Sequence, residues 1–162
     1  MIFRLLLAVA ALAPIAAHAQ VNLPGTSAPA KPDCLVIGDS VASGLATALA
    51  QQGKRCDVVV TRKATASQLI RMVPLQRYAV AFVAAGSTQP KYPYLEDELR
   101  VLRSQIRSGK VVWVLPYDRT AAAAVSRNAG ETGGLVVDLA FWPTADGLHP
   151  MDFSSLAAMI VK

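Results

Sequence analysis

The sequence predicts an α/β fold of three layers: one doubly wound, five-stranded parallel sheet with helices on both faces. Three observations carry this prediction. Five short apolar runs alternate with helical segments from Asp33 onward. The runs are mostly β-branched or aliphatic with little polar alternation, which suits strands covered on both faces. The longest helical segment places its leucines on one face, as a helix packed on a sheet requires.

The chain reads in order as follows. Arg4 precedes the apolar run Leu5 to Ala17, and Ala17-His18-Ala19 has the small-x-small form of a cleavage site. Residues 1–19 are therefore expected to be a secretory signal peptide. The run is short for a bilayer span of about 20 residues. No cysteine stands near the cleavage site, so no lipoprotein signal is read. Residues 20–32 hold three prolines, a glycine and two hydroxyl residues, the composition of a linker. The remaining 33–162 is expected to be one domain, large enough for one core.

Within that domain the expected strands are Cys34–Gly38, Cys56–Val60, Tyr78–Ala84, Val111–Leu115 and Leu135–Asp138. The expected helices are Ser43–Gln52, Thr65–Met72, Tyr94–Ser108, Thr120–Ala129 and Phe153–Val161. In the third helix Leu95, Leu99, Leu102 and Ile106 make a single apolar stripe, and Gly109 is expected to end it. Five β/α units joined by right-handed crossovers give a three-layer fold, with a flavodoxin-like strand order 2-1-3-4-5.

Cys34 and Cys56 each open a strand. If those strands are parallel neighbours, their amino ends adjoin and a disulfide is geometrically reasonable, as in an oxidising compartment. Two cysteines and one mature histidine are too few for a zinc site, and no metal or cofactor is read from the chain. Of 16 Lys and Arg, one is Arg4, leaving 15 against 11 Asp and Glu in the mature domain. That mild, scattered excess reads as a solvated surface, and no nucleic-acid motif accompanies it.

The carboxyl ends of parallel strands share one edge, where ligands bind. Gly38-Asp39-Ser40 lies at the end of the first strand, and Gly86-Ser87-Thr88 follows the third. His149, the sole mature histidine, closes Asp146-Gly147-Leu148-His149-Pro150 near the other end of the domain. A serine hydroxyl is a poor nucleophile until an imidazole takes its proton. The imidazole in turn needs a carboxylate to fix its tautomer. Ser40, His149 and Asp146 are the residues that meet these needs. Gly38 to Gly44 lacks the Gly-Lys-Ser/Thr ending of a phosphate-binding loop. Gly38 to Ala42 is also not the Gly-x-Ser-x-Gly elbow, since Ala42 replaces the last glycine.

The blocks Gly38-Asp39-Ser40 and Asp146-Gly147-Leu148-His149 resemble those of the SGNH (GDSL-type) hydrolase superfamily. They bracket nearly all of the mature domain. The resemblance implies a flavodoxin-like sheet and a serine esterase, lipase or carbohydrate esterase, with Ser40 as nucleophile, His149 as base and Asp146 as its orienter. It also implies oxyanion donors: the Ser40 N–H, an N–H near Ala64, and a group in Gly86-Ser87-Thr88. The chain departs from the pattern twice. Arg62 to Ser67 contains no glycine where the second block has one, and Thr88 stands where the third block has asparagine. Loss of one oxyanion donor costs about 10²–10³ in turnover. A slow hydrolase is therefore expected, the alternative being a non-catalytic envelope protein that binds glycan or a protein partner. Trp142, just before Asp146, is the candidate for lining the pocket. The expected ligand is a small-molecule, lipid or glycan ester, met by a secreted or periplasmic monomer without nucleic acid and without an integral membrane segment after signal cleavage.

Overall fold

The five apolar runs form five parallel strands: β1 Cys34–Gly38, β2 Cys56–Val60, β3 Tyr78–Ala84, β4 Ser108–Leu115 and β5 Leu135–Asp138. This computed structural model describes residues 31–161. The expected signal peptide, and the expected linker up to residue 30, lie outside the described residues. The sheet order is β2-β1-β3-β4-β5, as expected. The helices are α1 Ser40–Gln51, α2 Ala66–Ile70, α3 Leu95–Gln105, α4 Arg119–Glu131 and α5 Phe153–Ile160. A 3₁₀ turn, Leu139–Phe141, follows β5 and was not expected. Among the described residues no helix is long and apolar enough to cross a membrane.

The period of two in the strands divides the core into two layers. Leu35 and Ile37 of β1, Ala81 and Val83 of β3, and Val111 and Trp113 of β4 pack on the face covered by α2, α3 and α4. Their neighbours Val36, Phe82, Val112 and Val114 pack on the other face, with Leu45 and Leu49 of α1 and Leu156 and Ile160 of α5. The inner strands β1, β3 and β4 are apolar on both sides because each side meets helices, while the edge strands β2 and β5 leave Val58, Leu135 and Val136 exposed.

Three expected boundaries are corrected, at α1, α3 and β4. Helix α1 starts at Ser40 rather than Ser43, because the Asp39 carboxylate caps it by accepting the Val41 N–H at 2.9 Å. Helix α3 stops at Gln105, short of Ser108 and Gly109. Ile106 is extended (φ −72°, ψ 112°) with its side chain buried, so the stripe is real but its last member lies past the helix end. The chain then enters β4 early because Ser108 pairs with Tyr78, and Gly109 is a strand residue rather than a cap. Helix α2 is short and opens on a capping box, Thr65 with Gln68, which satisfies two orphan N–H groups.

Cys34 pairs with Cys56 in register across β1 and β2, and their sulfurs are bonded, with Cα atoms 4.4 Å apart. The bridge lies at the amino ends of the strands. At the carboxyl ends, β1 leads into α1 on one face while its neighbour β3 leads toward α3 on the other. The chain thus parts between β1 and β3, and a crevice opens at this switch point.

Candidate active site

Gly38 ends β1 where only a hydrogen fits: a Cβ there would lie 2.0 Å from the Ala84 carbonyl oxygen of β3. That close approach lets the Asp39 N–H bond the Ala84 carbonyl at 3.2 Å. Asp39 is buried, and Ser40 follows as the first residue of α1. Burial raises the Asp39 pKa, opposed by the Val41 N–H, the Ser87 hydroxyl and the nearby His149. As the first helical residue, Ser40 has a backbone N–H without an intrahelical partner.

The far side of the site is one loop that folds on itself. Thr144 and Pro150 form an antiparallel bridge at its neck, and the Met151 N–H donates to the Pro143 carbonyl at 2.9 Å. Inside, Oδ1 of Asp146 accepts the N–H groups of Leu148 at 2.9 Å and His149 at 2.8 Å. The Thr144 hydroxyl also donates to Oδ1, at 3.2 Å, and accepts the Gly147 N–H at 3.0 Å. Gly147 sits at φ 72° to make the turn. Oδ2 faces Nδ1 of His149 at 2.6 Å. The His149 ring and these backbone N–H groups hold the Asp146 carboxyl well below the usual carboxylate range.

The two parts meet at one contact: Nε2 of His149 is 2.8 Å from Oγ of Ser40. Ser40, His149 and Asp146 therefore form a continuous hydrogen-bonded line across 109 residues of sequence. The loop is also tied to the chain after β4, where the Tyr117 hydroxyl donates to the Trp142 carbonyl at 3.0 Å. The line borders a cavity of about 340 Å³ lined by Asp39, Ser40, Lys63, Ser87, Thr88 and Leu148.

The other expected residues fall differently. Thr88 lines the cavity. Ala64 does not: it is fully buried, and its N–H is already donated to the Thr61 carbonyl at 3.1 Å. The loop residue at the cavity is Lys63 instead, one position earlier. Gly86 is a turn residue at φ 102°, and the space beside its Cα holds Ala121, Leu95 and Val125 rather than the cavity. Trp142 packs half-buried against the core layer of α1 and α5 and is not among the lining residues. Ser87, Lys63 and Leu148 are the lining residues that sequence reasoning missed. Ser87 lies inside Gly86-Ser87-Thr88 and Leu148 inside Asp146-Gly147-Leu148-His149, so both were within reach. Lys63 had no sequence signal, because its place depends on a backbone conformation.

No family model matches this chain, and no curated protein matches it. Among solved structures, the C-terminal catalytic domain of peptidoglycan O-acetyltransferase A (OatA) from Streptococcus pneumoniae, with a methylsulfonyl adduct, is similar. The TM-score is 0.55 at 18% identity, over 80% of this chain and 90% of that one. The likeness is one of fold: this chain's three-layer α/β architecture, a five-stranded parallel sheet between helices, superposes on that domain.

Proposed function

We propose that the chain is a serine hydrolase of ester bonds, with Ser40, His149 and Asp146 as its catalytic triad. The observation that carries this reading is the line Ser40 Oγ, His149 Nε2, His149 Nδ1, Asp146 Oδ2, at 2.8 and 2.6 Å. With Asp146 ionised, the Nδ1 hydrogen faces the carboxylate and Nε2 is free to accept a proton. Ser40 Oγ forms a bond to the acyl carbon as its proton passes to Nε2. The carbonyl oxygen becomes an oxyanion, and the Ser40 N–H at the start of α1 is the first donor to it. Lys63 and Thr88 border the same space and are the candidates for the second donor. Collapse breaks the bond to the alcohol, which leaves with the proton from Nε2. Water then attacks the acyl-serine with His149 again as base, releasing the acid and restoring Ser40.

The fold neighbour favours a second reading of the last step, since it is an O-acetyltransferase acting on peptidoglycan. A sugar hydroxyl can replace water as the group that His149 deprotonates, transferring the acyl group instead of hydrolysing it. The Cys34–Cys56 disulfide supports work in an oxidising, extracytoplasmic compartment.

A fluorophosphonate probe is expected to label the protein at Ser40, and Ser40→Ala to abolish both labelling and p-nitrophenyl acetate turnover. Adding a chitooligosaccharide acceptor separates the two fates: acetylated sugar at the expense of acetate marks the transferase. A folded protein that neither labels nor turns over any ester overturns the catalytic proposal and leaves a binding protein built on the same cleft.

A further inference from the structure

Lys63 is the one non-glycine residue at positive φ among the described residues, at 56°. L-residues rarely adopt this conformation, and glycine holds it without steric cost. Strained backbone that persists in a cleft is a reason to look for a role. The turn is fixed on one side by the Ala64 N–H bonded to Thr61 and on the other by the capping box of α2. It places Lys63 on the wall of the cavity that holds Ser40.

The charge of Lys63 is uncommitted. Arg100, Arg119 and Arg127 are each ion-paired, while Lys63 has no ion pair among the described residues. The carboxylates nearest the reacting serine are already engaged. Asp39 accepts from Val41 and is buried. Asp146 is filled by His149 and by its own loop. Leu148 and Thr88, the remaining wall beside Ser40 and Ser87, carry no charge. Lys63 is thus the one cationic residue among those lining the cavity.

The geometry points to Lys63 as a specificity residue that selects esters bearing a carboxylate on the acyl or the alcohol half. This inference rests on the cleft being an ester site, as proposed above. A lysine ammonium is a flexible point charge with three donors, suited to a carboxylate carried at varied distance from the ester. Its strained backbone has a consequence of its own: Lys63→Gly relieves the turn while removing the charge.

The test compares charged and neutral isosteres. On the alcohol side these are 4-acetoxybenzoate and 4-acetoxybenzamide. On the acyl side they are mono-p-nitrophenyl adipate and p-nitrophenyl hexanoate. The wild type is expected to prefer a charged member by about tenfold in kcat/KM, the size of one charge-assisted contact, and the favoured pair tells which half carries the anion. Lys63→Met is expected to bring the ratio near one, Lys63→Arg to keep most of it, and added salt to shrink it. Lys63→Gly is expected to lose the preference while its Tm rises. A purely structural lysine would not move the charged-to-neutral ratio. Equal turnover of both members by the wild type, or a preference that survives in Lys63→Met, overturns the inference. If the wild type cleaves none of the four, the ester-hydrolase reading fails by itself. The inference is then read by NMR titration of Ser40→Ala with 4-acetoxybenzoate and 4-acetoxybenzamide. Tighter binding of the carboxylate that Lys63→Met removes supports it, and equal affinity overturns it.

Discussion

The Asp146 carboxylate accepts three N–H or O–H donors on one oxygen and the imidazole on the other, and this decides its charge. Its pKa is depressed, so its stabilising contribution is fully present above the ordinary carboxylate range. That contribution is lost only as pH falls through the depressed folded value. Asp146 is therefore expected to stay ionised across the working range, and a pH profile of kcat/KM to show no acid limb from it. Asp146→Asn keeps a side-chain oxygen for the loop N–H groups but can donate an amide hydrogen to Nδ1, favouring the wrong tautomer. Turnover is expected to fall by about 10³–10⁴-fold, as when other triad carboxylates are replaced, while the circular dichroism spectrum stays unchanged. That Ser40, Asp146 and His149 come together was legible in the sequence because hydroxyl, carboxylate and imidazole stood in short punctuated turns. Lys63 was illegible because a left-handed lysine leaves no trace in residue types. The expectation for Ala64 missed by one position for the same reason: which N–H a turn consumes is a matter of backbone geometry.

Helix α1 begins at Ser40, α5 follows the histidine loop, and the two pack in one core layer. Gly44 of α1 faces Phe153, the first residue of α5, and a Cβ at Gly44 would lie 2.4 Å from the ring. Gly44→Ala gains about 1 kcal/mol of helix propensity but forces the ring aside, an overpacking cost of about 1–3 kcal/mol. It is expected to destabilise the fold slightly and to lower kcat more than stability, because α5 follows directly from the histidine loop. In a Phe153→Ala background the same change is expected to become stabilising, and paired denaturant melts of the four proteins check the sign change. The strand cores were legible element by element, since doubly covered strands are continuously apolar. The end of α3 was not. Its stripe runs on to Ile106, which is buried whether the backbone is helical or extended, so periodicity alone continued the helix through Ser108. What stops it is the pairing of Ser108 with Tyr78, a contact between residues of different elements.

Across the whole molecule, the disulfide and the reactive line occupy opposite ends of the sheet. The bridge closes a sequence separation of 22 residues, for which chain entropy gives about 3 kcal/mol. The Cys34→Ser/Cys56→Ser variant is expected to lose about that much in urea melts while retaining kcat per folded molecule. A loss of kcat at unchanged stability would show that the amino ends of the strands govern the cleft. The strand order was legible because β/α alternation and the right-handed crossover leave few topologies. The crevice itself required knowing which face each helix takes. The histidine loop bears on the history of such a chain. Its internal bonds all run between neighbours in residues 143–151, and one hydrogen bond joins it to Ser40. Sheet, helices and cleft owe almost nothing to that imidazole. A substitution at His149 is thus expected to end the proposed chemistry while leaving the outline of the cleft in place, so on this scaffold shape is held more firmly than reactivity.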